Sequence, residues 1–239
     1  MGIYLSAGIA TVLSIVLSGY LISLWDKSFK KYLLLVFLLL PFSPFVNILV
    51  KKPLTLMLER LFQISEKAKP WWFLLIDLFI APITEELFKV LPIIVFPLRQ
   101  WVRDYRSVLC IGLAVGLGFG LGEMWLIAWR IHIAKPEIAN LAFYKLGGFI
   151  GERALCCFVH GILTSLVLKG LLGSFKDILS GYLKAVSLHA LLNTSALLYQ
   201  EKILPVGGTL FIAVPMILIM LHILLKFEEK VRQERRKSV

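Results

Sequence analysis

Long uninterrupted runs of apolar residues dominate the pattern of the chain. Seven runs are long enough for a helix to cross a bilayer, which takes about 20 residues. They lack the two-residue alternation of β-barrel strands, and lipid requires backbone polar groups to be paired within the spanning structure. The pattern therefore predicts an all-α bundle of about seven transmembrane helices, at Gly2–Leu24, Tyr32–Val50, Trp71–Leu98, Val108–Trp129, Ala154–Leu172, Ile178–Tyr199 and Val206–Leu225.

The connections between these runs are short, and no internal repeat is visible. We therefore expect one integral-membrane domain over residues 1–239, with its chemistry concentrated in about 71–199 and a basic cytoplasmic tail at 226–239 that need not be ordered. The segment 54–62, between the second and third spans, has enough apolar weight to predict a helix that rests on the membrane surface.

Composition excludes three broad classes of protein: a soluble domain, a disordered chain and a disulfide-stapled secreted scaffold. Of the 239 residues, 59% are hydrophobic and the mean hydropathy is +0.83. A soluble domain has about 45–50% apolar residues, and a disordered chain has fewer. The three cysteines, Cys110, Cys156 and Cys157, lie inside apolar runs, which excludes a disulfide-stapled secreted scaffold.

The net charge of +11 reflects membrane topology and does not indicate a nucleic-acid partner, because the lysines and arginines fall mostly between apolar runs. With the N-terminus outside, fifteen of these residues lie on the inner side and ten on the outer side. Inner loops carry the excess of positive charge. We expect a multi-pass protein of the cell membrane with its N-terminus outside and its C-terminus in the cytoplasm.

Ionisable residues at membrane depth are costly and usually functional. Glu85 and Lys89 are four residues apart in the third span, so they are expected to share a face and to pair. Glu86 points elsewhere and would then be the carboxylate available as a general base. The alternative is a structural ion pair beside one protonated glutamate, and the residues alone do not decide between the two.

Glycines precede the single acidic residue of the fourth span. Gly112, Gly116 and Gly120 recur every four residues and predict close helix packing. Glu123 has no lysine or arginine within one turn of its own helix. Its partner is therefore expected to come from another helix or from a metal.

Four consecutive spans place polar residues at similar depth. Glu123, His160 and the pair His189 and Asn193 each fall about 9–15 Å from the outer end of their span, and Glu85 and Glu86 lie near the middle of the third span. Independent structural residues have no reason to share a depth. We therefore expect one polar cavity lined by Glu85, Glu86, Glu123, His160 and His189.

These residues suit the hydrolysis of a peptide bond. Two histidines and a glutamate form a common catalytic zinc set, which here would be His160, His189 and Glu123, with zinc or another divalent metal as cofactor. Glu86 or Glu85 would act as the base on water, and Asn193 would stabilise an oxyanion or orient His189. A metal-free route, in which a glutamate alone activates water, stays open.

The motifs also occur in a familiar order. Glu85-Glu86-x-x-Lys89, Phe119-x-x-x-Glu123, Arg153 with His160 seven residues later, and His189-x-x-x-Asn193 lie on successive spans. This order resembles the PrsW family of intramembrane proteases. Asn193 stands where that family has aspartate, and in this respect the chain is similar to the related CAAX prenyl endopeptidases.

The resemblance implies an endopeptidase that cleaves a membrane-anchored protein. The implied substrate is a single-span protein, such as an anti-sigma factor that this enzyme would cut at the first of its cleavage sites. It implies Glu85, Glu86, Glu123, His160 and His189 as the catalytic core. Two readings remain beside it. One is a CAAX-type peptidase acting on prenylated proteins. The other is a proton- or ion-coupled transporter that uses the same carboxylates, against which the missing inverted repeat argues.

Overall fold

The computed structural model describes residues 1–65, 69–95 and 97–237. In this part of the chain every regular element is a helix, which confirms the all-α prediction. The helices are α1 (Gly2–Trp25), α2 (Phe29–Leu39), α3 (Phe42–Phe45), α4 (Lys52–Leu61), α5 (Trp71–Val95), α6 (Tyr105–Ala134), α7 (Pro136–Ala139), α8 (Gly147–Lys169), α9 (Phe175–Gln200) and α10 (Val206–Lys237). A π-helical turn covers Val46–Lys51, and short 3-10 turns cover Pro97–Trp101, Phe143–Leu146 and Gly170–Leu172.

Five helical segments within the described residues are long and apolar enough to cross a membrane: Gly2–Trp25, Lys30–Leu61, Tyr105–Ala134, Phe143–Leu172 and Gly207–Lys237. A helical membrane bundle is therefore confirmed, whereas the predicted count of seven spans is not. The two remaining predicted spans correspond to α5 and α9, which are 25 and 26 residues long. Both contain several ionisable side chains, which lower the apolar character of the helix.

The chain forms two compact units. The first unit consists of residues Met1–Pro44 and Gln100–Ser165, and the second consists of Phe45–Arg99 and Leu166–Val239. The expectation of a single domain stays a prediction.

In the first unit, α6 is buried along most of its length, and its glycines explain how neighbouring helices approach it. A Cβ atom added at Gly116 would overlap the backbone of Gly161 on α8. On another face, a Cβ atom at Gly118 would overlap the carbonyl group of Val36 on α2. The close packing predicted from the glycine stripe is thus confirmed, since only glycine leaves room for these backbone contacts.

In the second unit, α9 packs against both α5 and α10. Helix α5 continues through Pro82 and Pro92. Backbone carbonyl groups near Pro82 accept side-chain hydrogen bonds. The hydroxyl group of Thr84 donates to the carbonyl oxygen of Ile80 (2.7 Å), and that of Tyr182 donates to the carbonyl oxygen of Ile83 (2.8 Å). The hydrogen bond of Tyr182 ties α9 to α5 at the turn that precedes the paired glutamates.

Two segments differ in detail from the sequence-based prediction. Helix α4 covers most of the segment 54–62 that was predicted to be helical, but it follows directly on the π-helical turn that ends at Lys51 and falls within the candidate span Lys30–Leu61. Its position on the membrane surface stays a prediction. The basic tail from Lys226 is helical to Lys237, although order was not required there. Ion pairs one turn apart, such as Arg232 with Glu228 at 2.7 Å, favour the helical tail.

Candidate active site

A buried cluster of charged residues joins α5 to α9 in the second unit. Nζ of Lys89 lies 2.7 Å from Oε1 of Glu86, and neither side chain is exposed to solvent. Nδ1 of His189 lies 2.7 Å from the same Oε1 atom. Glu86 therefore links the lysine of its own helix to the histidine of α9.

This arrangement corrects the predicted pairing within α5. The sequence spacing indicated that Lys89 would hold Glu85 and leave Glu86 apart, and that prediction is wrong, because Lys89 pairs with Glu86, three residues away. Positions three and four residues apart are both neighbours on a helix surface, so spacing alone does not choose between them. The reason for preferring Glu86 as the available base is therefore removed.

Glu85 contacts a different set of groups. Its Oε1 atom lies 3.4 Å from Nζ of Lys51, and its Oε2 atom lies 3.8 Å from Nε2 of His189. The side chain of Glu85 is only 2% exposed, yet among the described residues Oε2 has no hydrogen-bond partner. This carboxylate thus retains an acceptor position that faces the imidazole ring.

Lys51 was missed as a site residue, because its position after an apolar run indicated a topology-setting loop. In the structure it ends the π-helical turn Val46–Lys51. Such turns are rare and are often found at functional sites. The available signal was the basic pair Lys51 and Lys52 directly after a predicted span, which does not by itself identify a partner.

A second cluster lies between α6 and α8 in the first unit. Nε2 of His160 lies 3.1 Å from Oε2 of Glu123, and Nη1 of Arg153 lies 3.8 Å from the same oxygen. The ring of Phe119 meets the His160 ring edge to face, with centroids 5.6 Å apart. The expectation that a partner of Glu123 would come from another helix is confirmed.

The helical periodicity explains the spacings in this cluster. Phe119 and Glu123 are one turn apart on α6, so both can contact His160. Arg153 and His160 are two turns apart on α8, so both can reach Glu123. Arg153 also donates from Nε to Glu152 at 2.7 Å, which helps to fix its guanidinium group.

Asn193 lies one turn beyond His189 on α9 and is half-buried. Among the described residues its side chain makes no hydrogen bond. The expectation that the residues of both clusters line one polar cavity stays a prediction, since His160 and Glu123 belong to the first unit and the other three residues to the second.

Residues 30–223 match the sequence model of a family described as PrsW family intramembrane metalloprotease. The chain belongs to the PrsW family. No curated protein and no solved structure matches it. As a PrsW protein the chain is an intramembrane peptidase, a multi-pass membrane protein whose substrates are membrane proteins. This membership supports an intramembrane protease and not the transporter.

PrsW proteins are described as metalloproteases, and the donor chemistry of this PrsW chain fits a divalent metal. A carboxylate bound to Nδ1 of a histidine fixes the ring and leaves Nε2 as the ligand atom, which is a common arrangement at metal sites. Glu86 has this relation to His189. Nε2 of His189 is 3.8 Å from Oε2 of Glu85, close to the separation of about 3.3 Å between two ligands of one zinc ion.

Proposed function

We propose that this chain cleaves a peptide bond of a membrane-anchored protein and that Glu85 is the general base. The observation that carries the proposal is the position of Glu85: its buried Oε2 atom lies 3.8 Å from Nε2 of His189, while Glu86 binds the other ring nitrogen of the same histidine. A general base must meet two conditions: water must be able to reach it, and its accepting oxygen must not already be bound by a protein group. Oε2 of Glu85 meets the second condition.

Glu86 takes a positioning role in this proposal. Its Oε1 atom accepts from both Lys89 and His189, so its charge is balanced and its geometry is fixed. This reverses the preference that sequence spacing gave to Glu86. Lys89 compensates the buried charge of Glu86, and Glu86 in turn orients the imidazole ring of His189 towards Glu85.

Lys51 supports the base from the other side. Its ammonium group lies near Oε1 of Glu85, while Oε2 remains directed towards His189. A cation at this distance restricts the rotation of the carboxylate. Because Lys51 acts through Glu85, we assign it as a positioning residue.

The His160 cluster supplies the remaining polar groups of the proposed reaction. We assign to His160 the stabilisation of the substrate carbonyl oxygen as negative charge develops on it. Glu123 holds the imidazole ring of His160, and Arg153 lies close enough to balance the charge of Glu123. Asn193, one turn from His189, is a candidate donor to the same developing charge.

Zinc or another divalent metal would be held by His189 together with His160 and Glu123, the set expected from sequence. With such an ion bound, His160 would serve as a ligand in place of its role at the carbonyl oxygen, and Glu85 would remain the base beside His189. Such an ion would polarise a carbonyl group and lower the pKa of a bound water, so that hydroxide is available as the nucleophile near neutral pH. The residues themselves perform the other tasks: Glu85 accepts the proton, Glu86 and Lys89 fix the ring of His189, and Arg153 balances Glu123.

The family resemblance extends the proposal to the substrate. It favours a single-span anti-sigma factor that is cut at its first site in the cell membrane. The anchoring helix of such a substrate would bring the scissile bond to the depth of the glutamates and histidines.

The proposal is tested with the full chain, purified and reconstituted into liposomes with candidate single-span anti-sigma factors. Cleavage and bound metal are measured for the wild type, for His189→Ala and for His222→Ala, whose histidine is exposed on α10. We expect His189→Ala to lose both cleavage and metal, and His222→Ala to retain both. Cleavage by His189→Ala at the wild-type rate would contradict the proposal.

A further inference from the structure

A polar cavity of about 270 Å³ lies in the first unit, and its lining does not include Glu123 or His160. It is bounded by the end of α1, the start of α2 and the start of α6. Its lining combines aromatic, cationic and anionic side chains: Asp26, Lys31, Tyr32, Trp101, Arg103, Asp104, Arg106, Ser107 and Ile111.

The two carboxylates of this cavity are bound by groups of the protein. Asp26 accepts from Nζ of Lys31 (2.6 Å), from the hydroxyl group of Tyr32 (2.7 Å) and from the backbone N–H of Ser28 (2.8 Å). Burial alone would raise the pKa of Asp26, but these hydrogen bonds outweigh burial and hold the pKa well below its usual range. The charges of Asp26 and Lys31 therefore balance each other.

Asp104 is engaged in the same way. It is the N-cap residue of α6, and its carboxylate accepts from the backbone N–H of Ser107 at 2.6 Å in a capping box. The positive end of the helix dipole also stabilises a carboxylate in this position.

The cavity also contains two arginines whose charges are not balanced by these carboxylates. Arg103 and Arg106 are both exposed, and in the part of the chain that the structure describes neither forms an ion pair with a carboxylate. Nε of Arg103 donates to the carbonyl oxygen of Gln100 at 2.8 Å, which holds the guanidinium group at the rim of the cavity. The cavity thus presents two guanidinium groups that are available to an anion.

The position of the cavity along the spans indicates which kind of anion would reach it. Three candidate membrane spans begin or end around it, at Trp25, Lys30 and Tyr105. The cavity therefore lies where the spans leave the hydrocarbon, the level of lipid headgroups. Trp101 has an amphipathic side chain of the kind that prefers this level, and the count of positive charges assigns this end to the cytoplasm.

We propose that this cavity binds the phosphate headgroup of an anionic phospholipid of the cytoplasmic leaflet, through Arg103 and Arg106. Basic pockets at the cytoplasmic ends of transmembrane helices bind such headgroups. The volume is smaller than the roughly 300–1,000 Å³ of sites that enclose a whole small molecule, so it suits a headgroup whose acyl chains remain in the bilayer.

The test uses the detergent-solubilised full chain and measures the binding of phosphatidylglycerol and phosphatidylcholine by native mass spectrometry. Arg103→Gln and Arg106→Gln are compared with Arg130→Gln, an exposed arginine near the opposite end of α6. We expect the affinity for phosphatidylglycerol to fall about fivefold for each of the first two substitutions, since each cation contributes independently. Arg130→Gln should bind like the wild type, and Arg106→Lys should retain most of the affinity.

Three results would overturn the proposal. Equal binding of phosphatidylcholine and phosphatidylglycerol by the wild type would show that the headgroup charge is not recognised. Unchanged affinity in the double variant Arg103→Gln/Arg106→Gln would place the lipid elsewhere. Competition by soluble glycerol phosphate at concentrations as low as those of the lipid would assign the site to a free phosphate compound.

Discussion

Nδ1 of His189 lies 2.7 Å from Oε1 of Glu86, and the two residues are 103 positions apart in the chain. This buried contact joins α9 to α5 and gives the histidine a defined orientation. Since Lys89 binds the same oxygen atom, the three side chains form one network. Substitutions of Lys89 and Glu86 separate the contribution of this network to stability from its contribution to catalysis.

Lys89→Met should destabilise the fold more than it changes the chemical step. Removing the cation leaves the carboxylate of Glu86 buried without its ion-pair partner, which typically costs about 3–5 kcal/mol. Adding Glu86→Gln to Lys89→Met should recover part of this loss, because the uncompensated charge disappears. Thermal unfolding in detergent measures both variants, with the exposed Lys184→Met as the control. A double variant less stable than Lys89→Met alone would contradict the network.

Lys51→Met should lower kcat about 10–100-fold and leave KM nearly unchanged, because the lysine acts on the base and not on the substrate. Lys51→Arg should restore most of the activity, since it returns a cation to Glu85. Lys52, the next residue, is exposed and provides the matched control Lys52→Met. Equal losses in Lys51→Met and Lys52→Met would show that the effect is general and not directed to Glu85.

Gly116→Ala should destabilise the first unit by about 1–3 kcal/mol, because the added Cβ atom would overlap the backbone of Gly161 and force α6 and α8 apart. Gly151→Ala is the matched control, since nothing lies within 4 Å of a Cβ atom at that position. The two unfolding midpoints in the same detergent give the comparison. A Gly116→Ala variant as stable as Gly151→Ala would show that the helices can separate without cost.

The sequence predicted the features that depend on local pattern. Apolar runs identify membrane helices because each run must satisfy its own backbone hydrogen bonds. The glycine spacing on α6 predicted close packing because only missing side chains allow it. The need of Glu123 for a partner on another helix followed from the cost of burying an unpaired charge, and His160 and Arg153 provide that partner.

Sequence-based prediction was wrong where two residues of one helix are equally able to reach a partner. It also missed a contact between residues far apart in the chain. Glu85 and Glu86 are both within one turn of Lys89, so the choice between them depends on how α5 is rotated against α9. The contact between Lys51 and Glu85 joins segments 34 residues apart, and nothing in the local pattern specifies it. Helices α5 and α9 carry several ionisable residues, which lower the mean hydropathy of each helix. Membrane spans are therefore hardest to recognise from hydropathy where they carry the functional residues.

The topology makes its own prediction, because the positive charges favour an external N-terminus and a cytoplasmic tail. A tag placed after residue 239 should resist protease added to intact cells and should be cleaved once the membrane is opened. A tag before residue 1 should be cleaved in intact cells. The reverse pattern would contradict the assigned orientation and would move the proposed lipid site to the outer leaflet.

The most direct test of the central claim is the cleavage rate of Glu85→Gln in liposomes that contain a single-span substrate. Glu137→Gln, at an exposed glutamate of α7, is the matched control, and thermal unfolding confirms that each variant is folded. We predict that Glu85→Gln loses about 10²–10⁴-fold in rate, since the amide cannot accept the proton of water. Glu137→Gln should cleave like the wild type. A folded Glu85→Gln variant that cleaves at the wild-type rate would contradict the assignment of Glu85 as the base.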